Sequence, residues 1–308
     1  MKRFALAATA AAALVLSACS GNSTATDPET SAPSTTAPQS DVAVKVVDSP
    51  IFEVKGDAGS APELTFNGDA PAELQRYTLD AKPDGAEVGP DDVVYAHYHG
   101  QVWNGEKFDS SYDRGAPIAF SLNGVIPGWK HGLTGARVGE RVELSIPSEY
   151  GYPNGTPDGG IKAGDTIVFV VEILDSVAPD TPAPAAGEQV SDPAELGLTV
   201  EDADGQLKSV TVEKSTTEPT EPKLVKLTEG TGEGTVAENS QMIVRVVGGT
   251  FNGEPTPGGA QIITADAAAM PDTVGAAPGA RFALLSPASG QGPAQAAVFD
   301  IIKVLSAK

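Results

Sequence analysis

Residues 93–103 (VVYAHYHGQVW) alternate, with Val94, Ala96 and Tyr98 on one side and His97 and His99 on the other. A period of two marks a strand with one covered face, so Tyr98 is expected to face the core and both histidines to face solvent. Asn104 and Gly105 follow, a pair that tolerates positive φ, so the chain is expected to reverse through Lys107, Phe108 and Asp109 as a hairpin. The same period returns in 141–146, with Val142, Leu144 and Ile146 inward, and in 165–174, with Ile167, Phe169, Val171 and Ile173 inward. Between them, 127–133 (PGWKHGL) reads as one short helix. Pro127 suits a first turn, Trp129 and Leu133 lie four apart on one side, and Gly135 stands ready to end it. The elements together predict an antiparallel sheet carrying a single short helix.

This texture begins near residue 72 and stops near 178, giving a first compact domain. Residues 42–71 are a β-prone, turn-rich leader with a strand or two and no readable role. Residues 179–187 begin PDTPAP and read as a semi-extended linker, because each proline removes a backbone donor and restricts its predecessor. The remainder, 188–308, repeats features of the first domain in order. Residues 138–147 (VGERVELSIP) align with 278–287 (PGARFALLSP), 104–106 with 252–254 (both NGE), and Val168–Phe169 with Val298–Phe299. A second, shortened copy of the same fold is therefore expected. The glycine cluster 230–234 (GTGEG) lacks the lysine of a phosphate loop and reads as a turn before a strand at 241–247.

The start of the chain has a different character. Lys2 and Arg3 precede an apolar run that closes on Leu16, Ser17 and Ala18 just before Cys19, the shape of a secretory signal over 1–18. The closing residues resemble the bacterial lipobox. That resemblance implies cleavage before Cys19, lipid attachment to its thiol, and a lipid-anchored protein on the extracytoplasmic face of the cell membrane. Residues 19–41, almost wholly Ser, Thr, Ala, Pro, Gly and acidic, read as a disordered tether. Cys19 is the one cysteine of the chain, so no intramolecular disulfide and no multi-cysteine metal site can form.

Composition narrows the partners. Thirty-four Gly and 25 Pro favour a β-rich, turn-rich protein over a helical bundle. A net charge of −21, with Lys and Arg never clustered, argues against a nucleic-acid partner. His97, His99 and His131 are the only histidines, and no clear third ligand joins the first two, so no metal site is expected.

The runs 97–115 (HYHGQVWNGEKFDSSYDRG), 125–147 (VIPGWKHGLTGARVGERVELSIP), 149–152 (EYGY) and 160–174 (GIKAGDTIVFVVEIL) together resemble the FKBP-type peptidyl-prolyl cis/trans isomerases. The resemblance implies an α+β fold, an antiparallel sheet wrapped around one short helix, with a proline ring docked between them and no cofactor. Position by position it implies an apolar pocket of Tyr98, Phe108, Val125, Ile126, Trp129, Tyr152, Ile161 and Phe169, floored by Trp129. Asp109 would sit beside Tyr98 and pair with Arg114, as an orienting group rather than a general base. The Ile126 N–H and the Tyr152 hydroxyl would hold substrate carbonyls. Ile118 stands where the family often has an aromatic, and Pro157 where some members have a histidine. The implied activity is prolyl isomerisation of exported, proline-containing polypeptides, with macrolide inhibitors as further ligands. The alternative is a proline-segment binding module or chaperone without essential turnover. In the second copy Val246 aligns with Tyr98 and Pro257 with Asp109, and no Trp or Tyr follows Tyr152, so its pocket is expected to be missing.

Overall fold

The computed structural model describes residues 42–251, 259–290 and 292–305. The expected signal over 1–18, Cys19 and the expected tether over 19–41 fall outside the described residues, as do 252–254 and Pro257 of the repeat.

The first unit contains β1 (Lys45–Val46), β2 (Glu53–Lys55), β3 (Glu63–Thr65), β4 (Gln75–Asp80), β5 (Val93–Val102), β6 (Lys107–Ser110), β7 (Ile118–Ser121), α1 (Pro127–Leu133), β8 (Arg141–Ile146) and β9 (Ile167–Val177). One sheet runs β1-β4-β8-β9-β5-β6, with β7 also pairing β5. Tyr98 lies opposite Val171, and Val171 opposite Val142, so the inward residues of three strands fall in one row. With Val94, Ala96, Leu144, Ile146 and Ile173 they form a buried core that includes Trp129 and Leu133 of α1. Pro127 occupies the first turn of α1, and Gly135, at φ 77°, follows its end. A Cβ on Gly128 would stand 2.3 Å from Ile146 Cγ2, and one on Gly132 would stand 2.9 Å from Leu144 Cδ2. The helix therefore rests on the sheet at a separation that only glycine permits.

The outer face of this sheet is not open to solvent. Arg141, Glu143, Ser145, Glu172 and His99 are all buried there. The leader provides the cover, which gives residues 42–71 a place in the fold that their composition did not reveal. Hairpin β2–β3 and its flanks set Phe52, Leu64 and Phe66 against Val168, Val170 and Trp103, with Phe66 and Trp103 ring centroids 4.8 Å apart. Polar contacts fix the hairpin's position. Ile51 N–H and Phe52 N–H donate to Glu143 Oε2 at 2.7 and 3.3 Å, Gly59 N–H donates to Glu172 Oε2 at 2.8 Å, and Arg141 Nη1 donates to the Gly56 carbonyl at 2.8 Å. The expectation that both histidines meet solvent is thus corrected. His99 is buried, and His97 stacks on Tyr112 at 4.6 Å with its Nδ1 2.9 Å from Ser111 Oγ.

The second unit contains β10 (Ala186–Gln189), β11 (Leu198–Ala203), β12 (Gln206–Val212), β13 (Lys223–Gly230), β14 (Gln241–Thr250), β15 (Gln261–Asp266), β16 (Arg281–Ser286) and β17 (Gln295–Leu305). Its sheet runs β10-β13-β16-β17-β14-β15, so β13, β16, β17 and β14 repeat the order of β4, β8, β9 and β5. Hairpin β11–β12 precedes β13 in the chain as β2–β3 precedes β4, and packs on this sheet through Leu207, Val210 and Val212. The match extends to single bonds. Arg141 pairs with Glu172 in register as Arg281 does with Asp300, and Gly139 and Gly279, both at φ 90°, donate to the carbonyls of Ile173 and Ile301 at 2.7 Å. In place of α1 the second unit has two 3₁₀ turns, Ala267–Ala269 and Pro271–Thr273.

One expectation shifts. With Glu172 matched to Asp300, Val170 and Val171 correspond to Val298 and Phe299, so the alignment of Val168–Phe169 with that pair was two residues out and Phe169 corresponds to Ala297. The linker is also tied to the second unit. Arg245 Nη2 donates to the carbonyls of Pro179 and Thr181 at 2.9 Å each, and β10 begins within it. The two units meet where Val93, Tyr95 and Val177 pack on Ile243, Ile302 and Leu305. Ala119 N–H donates to Gln241 Oε1 at 3.1 Å, and Lys303 pairs with Asp175.

Glu143 supplies a test of the covered face. Burial outweighs its two backbone donors and the nearby Arg141 charge, and raises its carboxyl from an ordinary 4.5 to about 7. The folded state then holds this proton more tightly than the unfolded chain does. Its contribution favours folding at low pH and is lost as pH rises through about 7. Thermal unfolding followed from pH 5 to 8 should show Glu143→Gln, which keeps an acceptor for Ile51 and Phe52, flattening this part of the wild-type decline. An unchanged slope would mean that Glu143 titrates normally.

Candidate active site

A cleft of about 290 Å³ opens on the inner face of the first sheet, between β5, β6, β7, β9 and the segment leading into α1. β5 supplies Tyr98 and β6 supplies Phe108 and Asp109, and buried Ser111 ties the two strands together. Tyr98 N–H donates to Ser111 Oγ at 2.8 Å, and Ser111 N–H donates to the Tyr98 carbonyl at 3.0 Å. Trp129 forms the floor. Its ring meets those of Tyr98, Phe120 and Phe169 edge-on, with centroids 5.2, 4.8 and 4.9 Å apart. Such edge-to-face contacts place the positive rim of one ring on the negative face of another and contribute about 0.5–1.5 kcal/mol each beyond burial.

Val125 and Ile126 line the cleft just ahead of α1. The Ile126 carbonyl accepts from Trp129 N–H at 3.0 Å, while the Ile126 N–H has no acceptor among the described residues. It is one of the orphan donors that a helix start leaves behind. Tyr152 comes from the loop after β8. That loop is held by Gly155 N–H donating to the Tyr152 carbonyl at 3.0 Å and Thr156 N–H donating to the Ile161 carbonyl at 2.8 Å.

One polar group interrupts the apolar wall. Tyr98 hydroxyl donates to Asp109 Oδ2, and Arg114 donates through Nη1 to Asp109 Oδ1 and through Nη2 to the Tyr98 oxygen, both at 2.5 Å. Burial, and then the bond to Asp109, push the Tyr98 hydroxyl up to about 12. Burial alone would raise Asp109 as well, but the donors from Tyr98 and Arg114 and the guanidinium charge hold it below the usual carboxylate range. The trio therefore keeps one protonation state across the neutral range and is built to orient rather than to exchange protons.

Of the residues expected at the site, Tyr98, Phe108, Asp109, Ile118, Val125, Ile126, Trp129, Tyr152 and Phe169 line this one cleft. Ile161 does not; it is 4% exposed and packs in the core beneath. Arg114 stands behind the wall and acts on Asp109 and Tyr98 rather than on the cavity. Pro157 is not among the lining residues. Phe120 was missed, although it lies two residues beyond Ile118 on the same strand and the period of two would have placed both on one face. In the second unit the rings are gone. Val246 takes the place of Tyr98 and Ala297 that of Phe169. The offset of 140 that relates Arg141 to Arg281 puts Ala269 where Trp129 stands.

A half-wrapped sheet with one short helix, and an aromatic-walled cleft between them, define a class of small-ligand or peptide-binding α+β domain. Residues 85–174 match the family described as FKBP-type peptidyl-prolyl cis-trans isomerase. The chain is 44% identical over 93 residues to the probable FK506-binding protein of Corynebacterium glutamicum, covering 30% of this chain and 77% of that protein. It is 42% identical over 109 residues to FK506-binding protein 2 of Debaryomyces hansenii, covering 34% and 80%. With FkpA of Escherichia coli (strain K12) it shares 46% identity over 85 residues, 27% of this chain and 31% of that protein. The chain belongs to the FKBP-type peptidyl-prolyl cis-trans isomerase family. The match spans about a third of the length of FkpA.

Gly100 on β5 tests the ring geometry. A Cβ there would stand 2.6 Å from Phe169 Cε1 and 2.9 Å from Phe108 Cε2 and Cζ. Gly100→Ala should push the two rings apart and cost about 1–3 kcal/mol, the range for overpacking. A lower urea midpoint with unchanged slope is the expected result; a midpoint within error of wild type would mean that the rings relax freely.

Proposed function

We propose that the first domain catalyses cis/trans isomerisation of X–Pro bonds. The observation that carries this reading is the open apolar cleft floored by Trp129, with a free Ile126 N–H and the Tyr152 hydroxyl in its lining. Rotation about a prolyl amide breaks no covalent bond, and its barrier of ~18–20 kcal/mol is lost resonance. The planar amide is more dipolar than the twisted one, and water stabilises the more dipolar form. A cleft that replaces water with aromatic rings favours the twist, and oriented donors favour it further. A 10⁵-fold acceleration corresponds to about 7 kcal/mol in total. In this reading the proline ring docks on Trp129 between Tyr98, Phe108 and Phe169. Ile126 and Tyr152 donate to flanking carbonyls, and the Arg114–Asp109–Tyr98 trio keeps the wall fixed.

We extend the reading to location and clients. The basic start, the apolar run and Cys19 support a lipid-anchored protein outside the cytoplasmic membrane, acting on exported chains whose uncatalysed prolyl steps take tens of seconds. The FK506-binding names of two relatives support macrolide binding in the same cleft. The second unit, with Val246, Ala269 and Ala297 at the ring positions, is read as a scaffold without isomerase activity.

A protease-free isomerisation assay should show Phe108→Ala and Trp129→Ala lowering kcat/KM at least about tenfold, the loss of one strong contact at about 1.4 kcal/mol. Wild-type kcat/KM should stay flat from pH 5.5 to 9, because Asp109 titrates below this window and Tyr98, near 12, above it. Equal rates in all three chains would remove the assignment and leave the cleft a binding site for proline segments.

For the anchor, cells grown with radiolabelled palmitate should label the wild-type chain and not Cys19→Ala. Label in both would place any lipid elsewhere.

A further inference from the structure

A second cavity, of about 230 Å³, lies between the two units beside the cleft. The first unit gives it Arg114 and Ile118, and the second gives it Asn239, Gln241 and Asp266. Ile118 also lines the aromatic cleft, so the two spaces share a wall. The far wall is held in place. Gln241 Oε1 accepts from Ala119 N–H at 3.1 Å, next to Ile118. Tyr95 and Leu305 are buried in the apolar cluster that joins the units, at 6% and 3% exposure.

The chemistry of this lining is selective. Arg114 is neutralised by Asp109 at 2.5 Å. Asp266, exposed at the end of β15, has no ion pair among the described residues. The uncompensated charge of the cavity is therefore negative, in a chain whose net charge is −21. Asn239 and Gln241 add amide groups. A long cationic side chain fits this arrangement, with its methylene stem along Ile118 and its head at Asp266.

We propose that this cavity is a substrate subsite built jointly by the two units, which takes a Lys or Arg side chain flanking the prolyl residue of the client. The proposal rests on the isomerase reading of the adjoining cleft. It gives the second unit a part in substrate choice although it has no cleft rings of its own.

The test uses the full chain and proline peptides in which Lys, Glu or Ala is walked through the three positions on either side of the proline. At one position Lys should exceed Glu in kcat/KM by about two- to fivefold, the yield of a partly exposed ion pair, and should act through KM. The preference should shrink with added salt. Asp266→Asn should abolish it and Asp266→Lys should invert it, both leaving turnover of the all-Ala peptide unchanged. Turnover with no Lys preference, or a preference that survives Asp266→Lys, overturns the subsite and leaves the isomerase reading intact. Absence of turnover on every peptide overturns both.

Discussion

The close approach of α1 to the sheet is the contact on which the cleft depends. Seven residues make too short a helix to persist alone in water, because the cost of its first turn is recovered only by packing. Gly128 and Gly132 let it settle against Ile146 and Leu144 where any Cβ would collide. That depth brings the Trp129 ring within edge-to-face reach of Tyr98, Phe120 and Phe169 at once. The same helix start leaves the Ile126 N–H without an acceptor beside the floor it creates. Floor and donor thus come from one element, and neither would survive a helix held a methyl group further out.

The sheet beneath that helix is held from both sides. β5 buries Tyr98 inward, and outward it buries Tyr95 against the second unit and His99 under cover. Charges on the outer face, Arg141, Glu143 and Glu172, would each be costly to bury alone. They are buried here as the receptors of a hairpin, accepting or donating to the backbone at Ile51, Phe52, Gly56 and Gly59. A strand packed on both faces has little freedom to flex, so the rings it carries keep their spacing without a ligand.

The inner face was legible because one period describes it. Val94, Ala96 and Tyr98, then Val142 to Ile146, then Ile167 to Ile173, alternate as strands with one apolar side must, and Pro127 and Gly135 bracket the helix between them. The outer face was not. Arg141, Glu143 and Glu172 have the polarity of solvent-facing residues, and only tertiary contact with a distant hairpin turns that polarity into a buried network. Ile161 was misplaced for a related reason: an apolar residue in a loop gives no sign whether it faces a cavity or a core. The two-residue slip at Val168–Phe169 kept each side chain on its proper face, which is why alternation alone did not expose it.

The second unit separates what the fold requires from what the cleft requires. It keeps the strand order, the Arg–acid pair across two strands and the left-handed glycine before the arginine. Among the described residues it has 3₁₀ turns in place of the helix, and Val246, Ala269 and Ala297 in place of the rings of Tyr98, Trp129 and Phe169. Its central volume is filled by Phe282 and Phe299, stacked 5.5 Å apart at the positions of Val142 and Val171. Large side chains in the middle of the sheet do the filling there that α1 does in the first unit. The frame is therefore stable with either solution, and the cavity is a property of where the bulk sits rather than of the topology. Freed from enclosing a ring, the edge of this second sheet can instead stand as a wall at Ile118, beside the cleft of its neighbour.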